Sequence, residues 1–201
     1  MITLAIDTSF GTSVALLQES SVLAEVNHTE NMTHAERIGE SIEQVLASAK
    51  LVSSQVDRVV VGLGPGPFTG LRVGIAAAKF FAIGVNAELV GVCSLDGIAF
   101  NYFKSGGQGR LLVSTDARRK ELFWATYEKD DELFPERTSG PSVSKIADVD
   151  TAGYQTTDLP VTASALGQLA FSLGRAVIRD VSAIYLREPD ATPGKSKRVS
   201  G

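Results

Sequence analysis

Two hundred and one residues, 44% of them hydrophobic, are enough for one larger domain or two small lobes around a real core. The formal net charge of −4 argues against a chain that binds nucleic acid by itself through a broad basic face, while leaving membership of a complex that does so open. A single cysteine, Cys93, excludes an internal disulfide.

Met1 runs straight into a strand with no charged leader, long apolar stretch or cleavage signal, so a soluble, cytoplasmic protein with no membrane contact is expected. Ile2 to Ile6 leads into Asp7, Thr8 and Ser9, which turn with Phe10 and Gly11, and Thr12 to Leu17 runs back. This is a β-hairpin with Asp7 at its bend, followed by a third strand at Val22 to Val26. Thr33 and Glu36 have the spacing of a capping box, and Ile38, Ile42, Val45, Leu46 and Ala49 then fall on one helical face ending near Lys50. His28 and His34 stand in a loop and at a helix start, too few and too far apart to bind zinc or iron without further ligands; no metal is expected.

Arg58 to Leu63 reads as an interior strand, and Gly62, Gly64, Pro65, Gly66 and Pro67 as a stiff loop of specified shape. The loop lacks the Lys and Ser/Thr of a P-loop. Thr69 can cap the helix beyond it, and Arg72 in that first turn opposes the helix dipole and calls for an anionic partner. Thr69, Gly70 and Arg72 therefore form either an anion-binding helix start or a plain structural turn. Gly70, Gly74, Ala78 and Ala82 recur every four residues and make a smooth strip on which another helix can approach closely. Leu71, Ile75, Phe80, Phe81 and Val85 surround it, so the helix is buried on more than one side, either against its own subunit or at a subunit interface.

Leu89 to Cys93 is a further apolar strand, which makes Cys93 a buried structural thiol, and Ser94 opens a helix carrying Leu95, Ile98, Ala99 and Phe103. Ser105 to Gly109 breaks the composition and divides the chain into lobes of residues 1–104 and 105–201. Leu111 to Ser114, Asp116, a basic turn to Lys120 and a return strand at Leu122 to Tyr127 repeat the opening pattern of strand, aspartate, turn and strand. Two related lobes are implied. Beyond Glu128 the signals are a short helix over Ser144 to Val149, a longer one over Ser164 to Leu173, a last strand over Val181 to Leu186 and a mobile basic tail from about residue 192.

The motifs Asp7-Thr8-Ser9, Thr33 to Arg37 (THAER), Gly64 to Gly74 (GPGPFTGLRVG) and Asp116-Ala117-Arg118 together resemble the TsaB (YeaZ) family, over most of Met1 to Tyr127 and more weakly at Tyr185 to Arg187. The resemblance implies an α/β, two-lobed, actin-like ATPase (ribonuclease H-like) fold with a duplicated mixed sheet flanked by helices. It implies a non-catalytic subunit that stabilises and allosterically supports TsaD in threonylcarbamoylation of the adenosine beside the anticodon of tRNAs reading codons that start with A. The ATPase TsaE acts on the assembled pair, a homodimer forms when the chain is alone, and tRNA is contacted mainly through the complex. The partner or dimer interface carried over lies on the first two long helices, at Ile38, Ile42 and Val45 and at Gly70, Leu71, Gly74, Ala78 and Ala82. No cofactor is expected in the isolated chain, with a nucleotide admissible at the interface with TsaD.

Two positions depart from the family pattern. Pro67 replaces a serine, and Arg119 replaces an apolar residue, making Arg118, Arg119 and Lys120 a basic turn that is either simply solvated or in contact with RNA or nucleotide. Asp7 and Asp116 stand where a complete enzyme of this fold holds magnesium-bound phosphates, and are expected to be vestigial cleft carboxylates. The alternative is an independent ATPase or phosphotransferase using both. No Ser/His/Asp or Cys/His set and no HExxH motif supports a protease.

Overall fold

The computed structural model describes residues 1–28, 34–129, 135–174 and 177–187, without side chains for residues 34–36. The expected capping box at Thr33 and the tail from residue 192 lie outside these. Strands β1 (Ile2–Asp7), β2 (Thr12–Gln18) and β3 (Ser21–His28) form an antiparallel meander. Helix α1 (His34–Ala49) crosses to β4 (Arg58–Gly62), and α2 (Phe68–Val85) to β5 (Glu88–Val92), both strands parallel to β1. The sheet order is β3-β2-β1-β4-β5.

Alternation along the central strands explains the layering. Leu4, Ile6, Val59 and Val61 face α1 and α2, whereas Ala5 and Val60 face the opposite side. On that side lies α4 (Ala163–Leu173), whose Thr162 side chain caps it by accepting from the Ala165 N–H. A Cβ on Gly167 would come within 2.6 Å of Leu17, so the helix lies close against the sheet.

The second sheet repeats the first four strands of the first. β6 (Leu111–Asp116), β7 (Glu121–Lys129), β8 (Pro135–Lys145) and β9 (Gln155–Thr156) are ordered β8-β7-β6-β9. As in the first lobe, the first two pairings are antiparallel and the last is parallel. Asp7 and Asp116 are the last residues of the equivalent strands β1 and β6. The expected duplicated mixed α/β architecture is thus present, with the second copy abbreviated: one short 3-10 turn, Ile146–Asp148, replaces the crossover helix. Helix α3 (Ser94–Lys104) joins the two halves, with Leu95, Ile98 and Phe103 packed on the second sheet. Its Asp96 accepts from the Tyr127 hydroxyl at 2.8 Å and from Arg137 at 3.0 and 2.8 Å.

Two expected elements are corrected, and one strand was not expected. Ser144 to Val149 is the end of β8 plus that 3-10 turn rather than a helix. Strand β8 itself, PERTSGPSVSK, gave no strand signal because an edge strand can be polar and can carry proline. Val181 to Leu186 is not a strand: it runs as a loop that touches the end of β4 through the Ile184 N–H, which donates to Leu63 O at 2.8 Å.

Candidate functional site

Asp7, Thr8 and Ser9 tie together three segments that are distant in sequence. Asp7 is 2% exposed. Its Oδ1 accepts from the Ser9 N–H at 2.8 Å and the Ser9 hydroxyl at 2.6 Å, and its Oδ2 accepts from the Ser94 hydroxyl at 2.6 Å. Ser94 Oγ in turn accepts from the Gly64 N–H at 3.1 Å, while the Ser94 N–H donates to Gly64 O at 2.8 Å. The Thr8 hydroxyl donates to Gly70 O at 2.8 Å, securing the first turn of α2. The glycines permit this closeness. A Cβ on Gly62 would lie 1.8 Å from Asp7 Oδ2, and one on Gly74 would lie 2.1 Å from Thr8 Oγ1.

Ser94 opens α3 as the sequence indicates, directly after the Cys93 N-cap, but its hydroxyl is committed to Asp7 and Gly64, partners that the sequence does not signal. No local spacing signals a contact across 87 residues of chain. Asp116, by contrast, is exposed and accepts the Arg118 N–H at 2.8 Å, an Asx-type turn. The two carboxylates are therefore topologically equivalent and physically different: one is caged, the other turned to solvent.

The start of α2 also differs from expectation. Pro67 is the N-cap and makes no side-chain cap bond, while Thr69 lies exposed inside the helix. Pro67 has no hydroxyl to give. Arg72 finds no carboxylate among the described residues; its guanidinium stacks 3.7 Å over the Phe68 ring and its Nε donates to the Tyr185 hydroxyl at 3.2 Å. Phe68 and Tyr185 are themselves in contact, their centroids 4.6 Å apart. The aromatic ring faces take the place of the expected anion. Beside this cluster, α2 and the 181–185 segment flank an open groove of about 270 Å³ lined by Arg72, Ala76, Lys79 and Tyr185 among others.

The eight residues expected at a partner surface are all buried within the protomer. Ile38, Ile42 and Val45 of α1, and Gly70, Leu71, Gly74, Ala78 and Ala82 of α2, form the seam between the helices and the sheet. The small residues of the strip let α2 approach its own β1–β2 bend, as the Gly74–Thr8 distance shows, so the strip is occupied within the protomer. The exposed residues of α2 include Ala76, Lys79, Phe80 and Ile83, with Phe80 and Ile83 each 77% exposed. By length and composition α2 could span a membrane, with a mean hydropathy of 1.5, yet six of its residues are buried against the sheet.

Cys93 is fully buried, and burial, reinforced by Asp96, pushes its thiol up to about 12, so it is a protonated packing group. Nδ1 of the half-buried His28 lies 3.5 Å from Arg37 Nη1. Among the described residues no three His, Cys, Asp or Glu side chains are grouped to hold a metal.

A family model described as TsaD, tRNA N6-adenosine threonylcarbamoyltransferase, matches residues 21–186. An uncharacterized protein of Mycobacterium tuberculosis is 43% identical over 152 residues, which is 73% of this chain and 66% of that one. The tRNA threonylcarbamoyladenosine biosynthesis protein TsaB of Escherichia coli is 33% identical over 129 residues, covering 64% of this chain and 55% of its own length. This chain thus spans between about half and two thirds of these curated relatives. A Pseudomonas aeruginosa crystal structure, described as similar to peptidase YeaZ, superposes with a TM-score of 0.80 at 25% identity, over 92% of this chain and 99% of that one.

Proposed function

Because this chain belongs to the TsaB (YeaZ) family, within the reach of the TsaD family model, we propose that it is the non-catalytic partner subunit of a TsaD-type transferase. The reaction it serves is threonylcarbamoylation of the adenosine beside the anticodon in tRNAs that read codons starting with A. The observation that carries the non-catalytic part is the caging of Asp7. Its two oxygens accept three hydrogen bonds from Ser9 and Ser94, and the Gly62 backbone lies against it. A carboxylate that coordinates magnesium-bound phosphate needs free lone pairs and a space beside them. The loop of residues 62–66 closes that space with the chain itself.

In this reading the lobe of residues 1–104 carries the partner-binding helices, and contact is made through the outer face of α2, where Phe80 and Ile83 are exposed. Two large apolar side chains presented side by side on a helix that also buries its opposite face favour a docking surface over a solvated one. The same face supports self-association when the chain is alone. A TsaE-type ATPase acts on the assembled pair. The isolated chain works without a cofactor, any nucleotide lying at the shared interface, and the complex is cytoplasmic.

Titration calorimetry with Mg²⁺ and ATP separates this reading from an independent phosphotransferase built on Asp7 and Asp116. The proposal expects no heat of binding to the chain alone and a measurable heat on titrating it with the TsaD-type subunit. Magnesium-dependent nucleotide binding that disappears in Asp7→Asn would overturn it.

A further inference from the structure

The tip of the β6–β7 hairpin combines an unusual backbone with an unusual charge. Arg118, Arg119 and Lys120 follow one another with φ of 64°, 57° and 60°, all in the left-handed region that disfavours residues with a Cβ. The Glu121 N–H donates to Arg118 O at 3.0 Å, so Arg119 and Lys120 are the central pair of a turn with positive φ at both positions. Such turns favour asparagine and glycine. Here two long cations occupy them.

The tip is also held rigidly. The Ala117 N–H donates to Glu121 O at 3.0 Å, and the Ile146 N–H donates to Lys120 O at 3.1 Å, anchoring the turn to the end of β8. Arg187 donates to Ala117 O at 2.9 Å and pairs with Glu121, so one of the two neighbouring carboxylates is neutralised from behind. The other, Asp116, is engaged by the Arg118 N–H. Lys145 stands directly across from Glu121 on β8 and adds a further exposed cation. A chain of net charge −4 therefore carries one compact basic point on a buttressed turn.

We propose that Arg118, Arg119 and Lys120 form a preorganised contact for the phosphate backbone of RNA, namely the tRNA on which the complex acts. The identity of the RNA rests on the function proposed above; the phosphate chemistry rests on the turn. A turn whose backbone is already fixed loses little further backbone freedom on binding, and closely spaced cations match a polyanion whose charges repeat along a strand. No base edge is read by such a turn, so the contact positions the RNA without selecting its sequence.

The test is binding of an unmodified tRNA transcript to the chain assembled with its TsaD-type partner, across a series of salt concentrations. Arg119→Asn combined with Lys120→Gly removes two charges while supplying the residues this turn favours, so folding is kept or improved. The expected result is about tenfold weaker binding near 0.1 M salt, with the log–log salt dependence shallower by about 1.5. Arg119→Glu with Lys120→Glu weakens it further. Unchanged affinity and slope in the Asn–Gly variant would overturn the proposal. Size-exclusion chromatography reports separately whether the two subunits assemble. Should they not, the function proposed above fails, and the turn is judged by the same criterion on the chain alone.

Discussion

Asp7 shows how a single residue can carry a fold and thereby be withdrawn from chemistry. Its neighbours are donors aimed at a carboxylate, so Asp7→Asn would turn an amide N–H₂ toward at least one hydroxyl that now donates. A stability loss of about 1–3 kcal/mol is expected from a buried group left unsatisfied, readable as a lower urea midpoint. Gly62→Ala should cost as much or more, since its methyl would overlap Asp7 Oδ2 and neither strand can move freely. Glu88 offers a contrasting surface case. Burial pushes its carboxyl up, but hydrogen bonds from Arg179 and Arg58 outweigh this and hold it below the usual glutamate value. A depressed folded pKa stabilises above the unfolded value, near pH 4.3, and that contribution is lost as pH falls through the folded value. Glu88→Gln should therefore lower stability by under about 1 kcal/mol at pH 7, with the difference from the parent vanishing in acid. A difference that grew as pH fell would contradict the assignment. The sequence shows Asp7 at a hairpin bend, but not its partner: Ser94 reads only as the start of a helix, which it is, whereas the bond it makes to Asp7 depends on the whole sheet being assembled.

Helix α2 is the element on which sequence and structure part most instructively. The four-residue repeat of Gly70, Gly74, Ala78 and Ala82 correctly identifies a close-packed face. It cannot say what packs there, because a strip smooth enough for another subunit is equally smooth for the chain's own strands. Burial decides it. Ala78→Arg should consequently unfold or severely destabilise the protomer, by several kcal/mol, rather than merely separate subunits. Phe80→Asp and Ile83→Asp, on the outer face, should leave the thermal midpoint nearly unchanged while abolishing co-purification with the TsaD-type partner. Retained co-purification in both would move the docking surface elsewhere. The other elements were legible in proportion to their burial. The central strands and α1 to α4 carry apolar periodicity, whereas β8 lies at a sheet edge with PERTSGPSVSK and no periodic signal to offer. The loop through Val181 and Ile184 reads as a strand for the opposite reason: it is apolar because it lies against the core between the first sheet and its helices, although it pairs with no strand.

At the scale of the whole molecule, duplication is the organising fact, and its asymmetry carries the functional meaning. The hairpin with a terminal aspartate occurs twice, at Asp7 and Asp116, as the sequence repeat suggests. The first copy spends its aspartate on internal hydrogen bonds, and the second lacks a crossover helix between β8 and β9. What remains is a scaffold with one exposed apolar helix face, proposed above as the docking surface, and one basic hairpin in solvent. The claim that this scaffold supports a transferase without performing the transfer is tested most directly by reconstitution. Unmodified tRNA, threonine, bicarbonate and ATP are supplied with the enzyme that forms the activated threonylcarbamoyl adenylate and with the TsaD- and TsaE-type proteins, and modified adenosine is measured with and without this chain. The account predicts product only when the chain is present. Product at the same rate without the chain would contradict it.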